Sequence, residues 1–152
     1  MSTKIQIRRY QDTDQEAVID VVDRVLHEYE YAFDPALDAD LCRISSRYTP
    51  QKKSVFLLAV DGERVIGTCA LRRKARDICE FKRLYLLKEY RGKGIGKMLF
   101  NKARLYAKKF DYHIMKFDTV DSMKQAQALY ERAGCRVTAR RKEKIWYECA
   151  IR

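Results

Sequence analysis

The sequence predicts an α/β fold in which helices flank both faces of a mixed central sheet. Segments of strand type and helix type alternate along most of the chain, and several strand segments follow one another in the middle. A glycine cluster stands where one of these strands gives way to a helix. Consecutive strands form antiparallel neighbours and a strand–helix–strand crossover forms parallel ones, so the combination favours a mixed sheet. A length of 152 residues suits one domain, which we expect to span residues 1–152.

The first forty residues are predicted to form a strand followed by two helices. Residues 4–9 alternate polar and apolar side chains, as a half-buried strand does. Thr13 and Glu16 have the spacing of a capping box and predict the start of the first helix. Asp34 followed by Pro35 predicts the first turn of a second, shorter helix.

The rest of the chain is predicted to continue with a meander and then with alternating helices and strands. Apolar and alternating runs, with a turn at Asp61 and Gly62, predict meander strands at residues 54–60, 64–73 and 78–87. After the glycine cluster, the spacing of apolar residues alternates between helix type and strand type. It predicts a helix up to about residue 110, a strand at 114–120, a helix at 123–133 and a strand pair at 135–141 and 145–151.

Composition argues against several classes of protein. No apolar run approaches the ~18 residues of a membrane span, and the longest covers residues 55–60. The residues up to Arg9 lack the apolar stretch of a signal peptide, so we expect a cytoplasmic location. The five cysteines are odd in number and have no Cys-x-x-Cys spacing, so we expect free thiols in a reducing compartment and no metal site.

Charge is distributed unevenly along the chain. The whole protein has a formal net charge of +11, and residues 72–109 alone account for +11. Residues 12–40 carry ten acidic residues and one basic residue, a net charge of −9. Such a division indicates two partners of opposite charge, one of which carries phosphate or another anion.

The most informative motif lies in residues 80–97, where a strand leads into a glycine loop and then a helix. Glycines let backbone amides approach a ligand, and the unpaired N–H groups of a helix start attract anions. The motif therefore predicts a site for phosphate or pyrophosphate. Its glycines and surrounding cations are Gly92, Gly94 and Gly96 with Arg91, Lys93 and Lys97.

Three phosphate-binding motifs compete for this loop. A P-loop requires Ser or Thr after Gly-Lys, but Met98 follows Gly96 and Lys97. A dinucleotide fingerprint requires Gly-x-Gly-x-x-Gly, which has a different spacing. The pattern Arg-x-x-Gly-x-Gly after a strand matches residues 91–96 at every position. A tight strand-to-helix turn without a ligand is the structural alternative.

Several segments together resemble the GNAT superfamily of acyl-CoA-dependent N-acetyltransferases. FKRLYLLKEYRGKGIGKMLF is similar to the pyrophosphate-binding motif of that family, and AQALYERAGC is similar to its later helix motif. IQIRRYQDTDQEAVIDVV and RVIGTCALR resemble its first strand and helix and its central strand pair. The resemblance covers nearly the whole chain. It implies the GNAT fold, acetyl-CoA as cofactor and an amine as acceptor.

The resemblance also implies roles for individual residues. The strand before the glycine loop would separate from its neighbour, so that its main chain pairs with pantetheine at Leu84, Tyr85 and Leu86. Tyr130 would lie beside the cofactor sulfur, and Glu80 would lie where some members carry a general base. The pyrophosphate would be held by the amides of Gly92, Lys93, Gly94, Ile95, Gly96 and Lys97, in a loop shaped by Arg91.

These roles suit the chemistry of acetyl transfer. An alkylammonium has a pKa near ~10 and must lose a proton before attack, which Glu80 could accept. The backbone N–H of Leu86 could stabilise the oxyanion, and the Tyr130 hydroxyl could protonate the leaving thiolate. Each residue also has a structural alternative: Glu80 as a surface ion-pair partner of Arg76 or Lys82, and Tyr130 as part of the core.

The sequence departs from the family pattern at two positions. Met123 stands where many members have Asn, so one cofactor contact is missing or is supplied by Asp118 or Ser122. Cys135 stands where Phe is usual, and we expect it to be a smaller core residue.

The acidic segment covers the first helices, which wall the acceptor side of the cleft in this family. It predicts a cationic acceptor such as a polyamine, an aminoglycoside or a peptide amine, attracted by Asp34, Asp38 and Asp40. Two alternatives are a GNAT-fold acyl-CoA sensor without transferase activity and a basic nucleic-acid-binding module, although no nucleic-acid motif is present. The final strand pair could also join two copies in a homodimer.

Overall fold

One mixed sheet of seven strands forms the centre of the molecule, with helices packed against it. The computed structural model describes residues 4–152. The strands are β1 (Ile5–Arg9), β2 (Val55–Asp61), β3 (Arg64–Ala75), β4 (Ile78–Leu86), β5 (Ile114–Val120), β6 (Arg136–Arg141) and β7 (Lys144–Ala150). The helices are α1 (Gln15–Glu28), α2 (Ile44–Arg47), α3 (Ile95–Lys109) and α4 (Lys124–Arg132).

The order of the strands in the sheet follows the chain except at its end. The order is β1-β2-β3-β4-β5-β7-β6, with antiparallel pairing everywhere but between β4 and β5. Those two strands are parallel, and α3 connects them. The predicted meander, crossover and final hairpin are therefore all present.

The core lies on both faces of the sheet. Six consecutive residues of β2, Val55–Val60, are all buried, which requires cover on both sides. On one face the Phe81 ring contacts the Phe100 ring of α3, with their centroids 5.1 Å apart. The next residue, Lys82, points to the other face, where its Nζ lies 3.8 Å from Asp40. The segment between α1 and α2 therefore covers the face opposite α3.

Two predicted helix starts are wrong. The reciprocal capping bonds belong to Gln11 and Asp14 rather than to Thr13 and Glu16, and a 3₁₀ turn precedes α1. The Asp14 carboxylate takes this role because it accepts hydrogen bonds from the Gln11 amide and from the Arg8 guanidinium.

No helix begins at Asp34 and Pro35. The chain turns there, and the Asp38 amide donates to the Asp34 carbonyl at 2.7 Å while the Asp34 amide donates to the Asp38 carboxylate. A short 3₁₀ segment, Ala39–Cys42, and then α2 follow. The segment forms a turn instead of a helix because Asp38 also accepts a hydrogen bond from Arg83, and this contact holds the turn in place.

Two of the five cysteines are not free thiols. Cys135 and Cys149 form a disulfide with their Cα atoms 4.5 Å apart, so the prediction of free thiols is wrong for this pair, although Cys135 is buried in the core as expected. Pairing of Arg136 with Glu148 in the final hairpin sets the two cysteines opposite each other. Cys42, Cys69 and Cys79 are free.

Residues 4–152 contain neither a cluster of metal-ligating side chains nor a membrane-spanning helix. Within that range, no group of three or more His, Cys, Asp or Glu side chains is arranged to hold a metal ion. None of the helices there has both the length and the apolar composition that crossing a membrane requires.

Candidate active site

A gap opens in the middle of the sheet between β4 and β5. The two strands pair only from Ile78 with Ile114 to Glu80 with Lys116, although β4 continues to Leu86. The second half of β4 therefore has a main-chain edge that β5 does not cover. Such an edge can form strand-like hydrogen bonds with an extended ligand.

A β-bulge lies at the centre of this uncovered edge. Arg83 and Leu84 together lie opposite a single residue of β3, Cys69. Arg83 has φ +61°, an unusual backbone conformation for a side chain of its size, and its carbonyl accepts a hydrogen bond of 2.8 Å from the Thr68 hydroxyl. The bulge changes the direction of the strand and therefore the direction of the residues that follow it.

The backbone directions beyond the bulge can be read from one hydrogen bond. The Leu87 amide donates to the Ile66 carbonyl of β3 at 3.0 Å. Successive amides of a strand point to opposite sides, so the amide of Leu86 points away from β3 and into the gap. The main chain at Leu84, Tyr85 and Leu86, for which the family resemblance implies contact with pantetheine, thus lies along the open side of this gap.

The glycine loop follows directly and leads into α3. Gly92 and Gly94 have φ of +76° and +83°, and a Cβ at either would meet no atom within 4 Å. Backbone conformation therefore accounts for glycine at these two positions, and the space above them is open. Within the described residues, none of the amides at residues 92–97 donates to a protein acceptor, and the first helical bond joins the Met98 amide to the Gly94 carbonyl. The loop has the free donors of an anion site.

Arg91 ties the glycine loop to its surroundings. Its Nε donates to the Leu86 carbonyl at 3.0 Å, and its two Nη atoms donate to the Glu28 carboxylate of α1 at 2.7 Å. These bonds connect the loop to β4 and α1, and the role of Arg91 in shaping the pyrophosphate site stays a prediction. Lys93 and Lys97 are exposed and form no ion pair within residues 4–152, so they remain available to an anion.

Tyr130 lies in the aromatic cluster beneath the gap. Its side chain is 4% exposed, and its ring lies 4.3 Å from Phe117 and 5.2 Å from Tyr147, centroid to centroid. Burial raises the pKa of the Tyr130 hydroxyl, so that it stays protonated at neutral pH. Among the described residues the hydroxyl has no hydrogen-bond partner. The ring is part of the core, as the structural alternative predicts, while the hydroxyl is free to donate.

Glu80 lies at the closed end of the gap, at the last paired position of β4 with β5. Its carboxylate accepts a hydrogen bond of 2.5 Å from Nε of Arg72, the residue opposite it on β3. The ion-pair alternative is thus present, but with Arg72 rather than with Arg76 or Lys82. The Glu80 side chain retains 16% exposure, so it is still within reach of a small molecule or water.

A cluster of ionic side chains around Arg83 was not predicted from the sequence. The Arg83 guanidinium donates to Asp38 at 2.8 Å and to Asp40 at 2.5 Å, and the Tyr48 hydroxyl donates to Asp40 at 2.5 Å. Burial alone would raise the pKa of Asp40, but the hydrogen bonds from Arg83 and Tyr48 outweigh burial and lower that pKa to about 2. The cluster fixes the bulged strand to the segment before α2.

This cluster corrects the expected acidic wall. The charges of Asp38 and Asp40 are balanced by Arg83, and Lys82 lies 3.8 Å from Asp40 as well. Two of the three carboxylates expected to attract a cation are therefore already paired. No local pattern could reveal this, because Asp40 and Arg83 are 43 positions apart.

These features define an acyl-CoA-binding transferase fold: a parallel strand pair that separates, a bulge, and a glycine loop with free amides at a helix start. The chain belongs to the acetyltransferase (GNAT) family, whose model matches residues 18–135. GNAT proteins are acetyl-CoA-dependent N-acetyltransferases, so the predicted family, enzyme class and cofactor are confirmed at that level.

Known proteins agree with this family and fold. The uncharacterised N-acetyltransferase YjgM of Escherichia coli is 29% identical over 133 residues, which cover 84% of this chain and 80% of that protein. A GNAT acetyltransferase structure from Staphylococcus aureus Mu50 has a TM-score of 0.89 at 23% identity and covers 98% of this chain and 100% of its own. The PaiA N-acetyltransferase of Thermoplasma acidophilum, solved with coenzyme A, has a TM-score of 0.79 at 22% identity. The match covers 97% of this chain and 99% of that one. The predicted fold is confirmed.

Proposed function

We propose that the protein transfers the acetyl group of acetyl-CoA to a primary amine by direct attack, with the site residues acting as follows. The observation that carries this proposal is the uncovered edge of β4 running into a loop of unpartnered amides. An extended chain with a pyrophosphate at one end fits this arrangement, because the edge offers strand-like pairing and the loop offers anion donors. Coenzyme A has that shape and charge.

The cofactor would lie along β4 from the loop toward Glu80. Pantetheine would pair with those main-chain groups of Leu84, Tyr85 and Leu86 that point away from β3, while the Leu86 carbonyl stays bound to Arg91 Nε. The pyrophosphate is held by the amides of Gly92, Lys93, Gly94, Ile95, Gly96 and Lys97. The side chains of Lys93 and Lys97 add charge to that cradle, and Arg91 keeps it in position.

Glu80 acts as the base for the attacking amine. The amine arrives as an ammonium with a pKa near ~10, and the Glu80 carboxylate accepts one proton directly or through a water molecule. The neutral nitrogen then attacks the acetyl carbonyl. Arg72 orients Glu80 through their hydrogen bond of 2.5 Å.

The same edge stabilises the intermediate and the leaving group. The Leu86 amide lies six positions from Glu80, about 20 Å along the strand, so an amide of the uncovered edge nearer to Glu80 would donate to the oxyanion of the tetrahedral intermediate. When the carbon–sulfur bond breaks, the Tyr130 hydroxyl donates a proton or a hydrogen bond to the thiolate. No covalent enzyme intermediate is required, because the amine and the thioester react in one site.

The finer prediction of a polyamine, aminoglycoside or peptide amine as acceptor stays a prediction. Its electrostatic basis is weakened by the pairing of Asp38 and Asp40 with Arg83. A GNAT-fold sensor that binds acetyl-CoA without transferring it is the alternative to catalysis, and it would tolerate loss of Glu80 and Tyr130.

The test of the catalytic roles is a free-thiol assay with acetyl-CoA and a panel of primary amines. Tyr130→Phe should lower kcat about tenfold or more and change the KM for acetyl-CoA little. The control is Tyr147→Phe in the same aromatic cluster, whose buried hydroxyl has no partner among residues 4–152. Equal activities of the two variants would remove Tyr130 from the mechanism.

Glu80 is tested in the same assay. Glu80→Gln should lower kcat about a hundredfold, with the smallest deficit at high pH, where more of the amine is already neutral. Glu63→Gln, in the β2–β3 turn, is the matched control. A wild-type protein that binds acetyl-CoA but acetylates no amine of the panel would favour the sensor alternative.

A further inference from the structure

A basic cleft of about 420 Å³ lies beside the closed end of the gap. It is bordered by the start of β2, by β3 and by α2 with the turn that follows it. Four cationic side chains line it: Arg47, Lys52, Arg72 and Arg73. Among residues 4–152, Asp40 is the only acidic residue of the lining.

Most of this positive charge has no balancing carboxylate. Asp40 is already paired with Arg83, and Arg72 is paired with Glu80. Within residues 4–152, no carboxylate lies within 4.0 Å of the charged groups of the other three cations, and Lys52 donates only to the Ser46 carbonyl, at 2.7 Å. The cleft therefore presents an excess of positive charge, which favours an anionic ligand.

The position of the cleft separates it from the cofactor phosphates. Arg72 connects it to Glu80, whereas the glycine loop follows the other end of β4. Leu86 lies six positions after Glu80 on the strand, about 20 Å at the usual rise per residue. The charge of the cleft is thus located where the amine acceptor must arrive.

We propose that this cleft binds an acidic group of the acceptor itself, a carboxylate or a phosphate. The inference rests on the proposed function and deepens it: the substrate is a primary amine that also carries an anion. Arg47 binds that anion, since a guanidinium binds carboxylate and phosphate through paired hydrogen bonds, and Lys52 adds a second positive charge. The amine end then faces Glu80.

The test uses acceptors that differ only in charge. A series of ω-amino carboxylates of increasing chain length is compared with the matching phosphonates and carboxamides in the free-thiol assay. At the best chain length, one anionic form should exceed the carboxamide about tenfold or more in kcat/KM, mainly through a lower KM. The carboxylate and phosphonate arms show which anion the cleft prefers.

The variant that tests the site is Arg47→Gln combined with Lys52→Gln. It should raise the KM of the preferred anionic acceptor about tenfold and leave the carboxamide almost unchanged. Arg141→Gln on β6, at the far edge of the sheet, is the control for the loss of an exposed arginine. Thermal unfolding of all variants checks that each one is folded.

Failure of this inference differs from failure of the proposed function. If acetyl-CoA binds and the carboxamides react as well as the anionic forms, the transferase function stands and the inference is wrong. The same holds if the double variant keeps the wild-type preference. If acetyl-CoA does not bind in calorimetric titration and no amine reacts, the proposed function is wrong and the inference fails with it.

Discussion

Asp40→Asn should destabilise the protein measurably, because Asp40 connects β4 to the segment before α2. Its carboxylate accepts hydrogen bonds from Arg83 and Tyr48, and its side chain is only 12% exposed. These bonds lower the pKa of Asp40 from 3.8 to about 2. Each pKa unit corresponds to ~1.4 kcal/mol, so the ionised carboxylate contributes about 2 kcal/mol to the free energy of unfolding at neutral pH.

The pH dependence of this contribution has a definite sign. The folded pKa lies below the unfolded one, so the unfolded chain binds the proton more readily. The contribution is complete above pH ~5 and is lost as the pH falls through ~4 toward ~2. The asparagine variant lacks this titration, so the difference between the two proteins should shrink over the same interval.

Urea unfolding at pH 7, 5, 3 and 2 measures this difference. We expect the free energy of unfolding to fall by about 2 to 3 kcal/mol at pH 7, since the buried Arg83 guanidinium also loses part of the negative charge that balances it. Asp20→Asn is the control: Asp20 pairs with Arg24 at the surface of α1, where both side chains are about 60% exposed, and its loss should be below ~0.5 kcal/mol. A loss at Asp40 as small as that of the control, or one that is unchanged at pH 2, would refute the reasoning.

Two further changes probe the same scaffold. Tyr48→Phe removes one donor to Asp40, and we expect a loss of about 1 to 2 kcal/mol in urea unfolding; no loss would show that Tyr48 does not stabilise Asp40. Reduction of the bond between Cys135 and Cys149, 14 positions apart, should lower the free energy of unfolding by about 3 kcal/mol. Alkylation under denaturing, non-reducing conditions should modify only Cys42, Cys69 and Cys79, and modification of all five cysteines would contradict the disulfide.

The strands and the two long helices could be predicted because their signals are local. Apolar runs, alternation and turn residues lie within a few positions of each other, and all seven strands occur within two residues of the predicted bounds. The glycine loop was predictable for the same reason: Gly92 and Gly94 adopt the positive φ that their residue type permits.

What the sequence could not predict depends on contacts between distant residues. The bulge at Arg83 requires a positive φ that its residue type disfavours, and the Thr68 hydroxyl and the two aspartates supply the compensating bonds. The disulfide depends on the register of the last hairpin. The start of α1 depends on Arg8, which binds Asp14 and makes it, rather than Glu16, the capping carboxylate.

The candidate site divides along the same line. The glycine loop and Tyr130 each belong to a continuous segment of the sequence that resembles a family motif. The charge of the acceptor side could not be predicted in this way. The summed charge of residues 12–40 does not show that Asp38 and Asp40 are paired with Arg83. The arrangement in space is the reason that the proposed acceptor is an amine with an anionic group, whereas the sequence predicts a cationic amine such as a polyamine, an aminoglycoside or a peptide amine.

The most direct test of the central claim is calorimetric titration of acetyl-CoA into wild-type protein and two glycine variants. Gly94→Asp places a negative charge in the predicted pyrophosphate cradle, while Gly62→Asp makes the same substitution at another open glycine with positive φ, in the β2–β3 turn. We predict micromolar binding by the wild type and Gly62→Asp, as is common for enzyme substrates, and loss of binding in Gly94→Asp. Absence of wild-type binding, or equal binding by both variants, would contradict the assignment of the loop as the cofactor site.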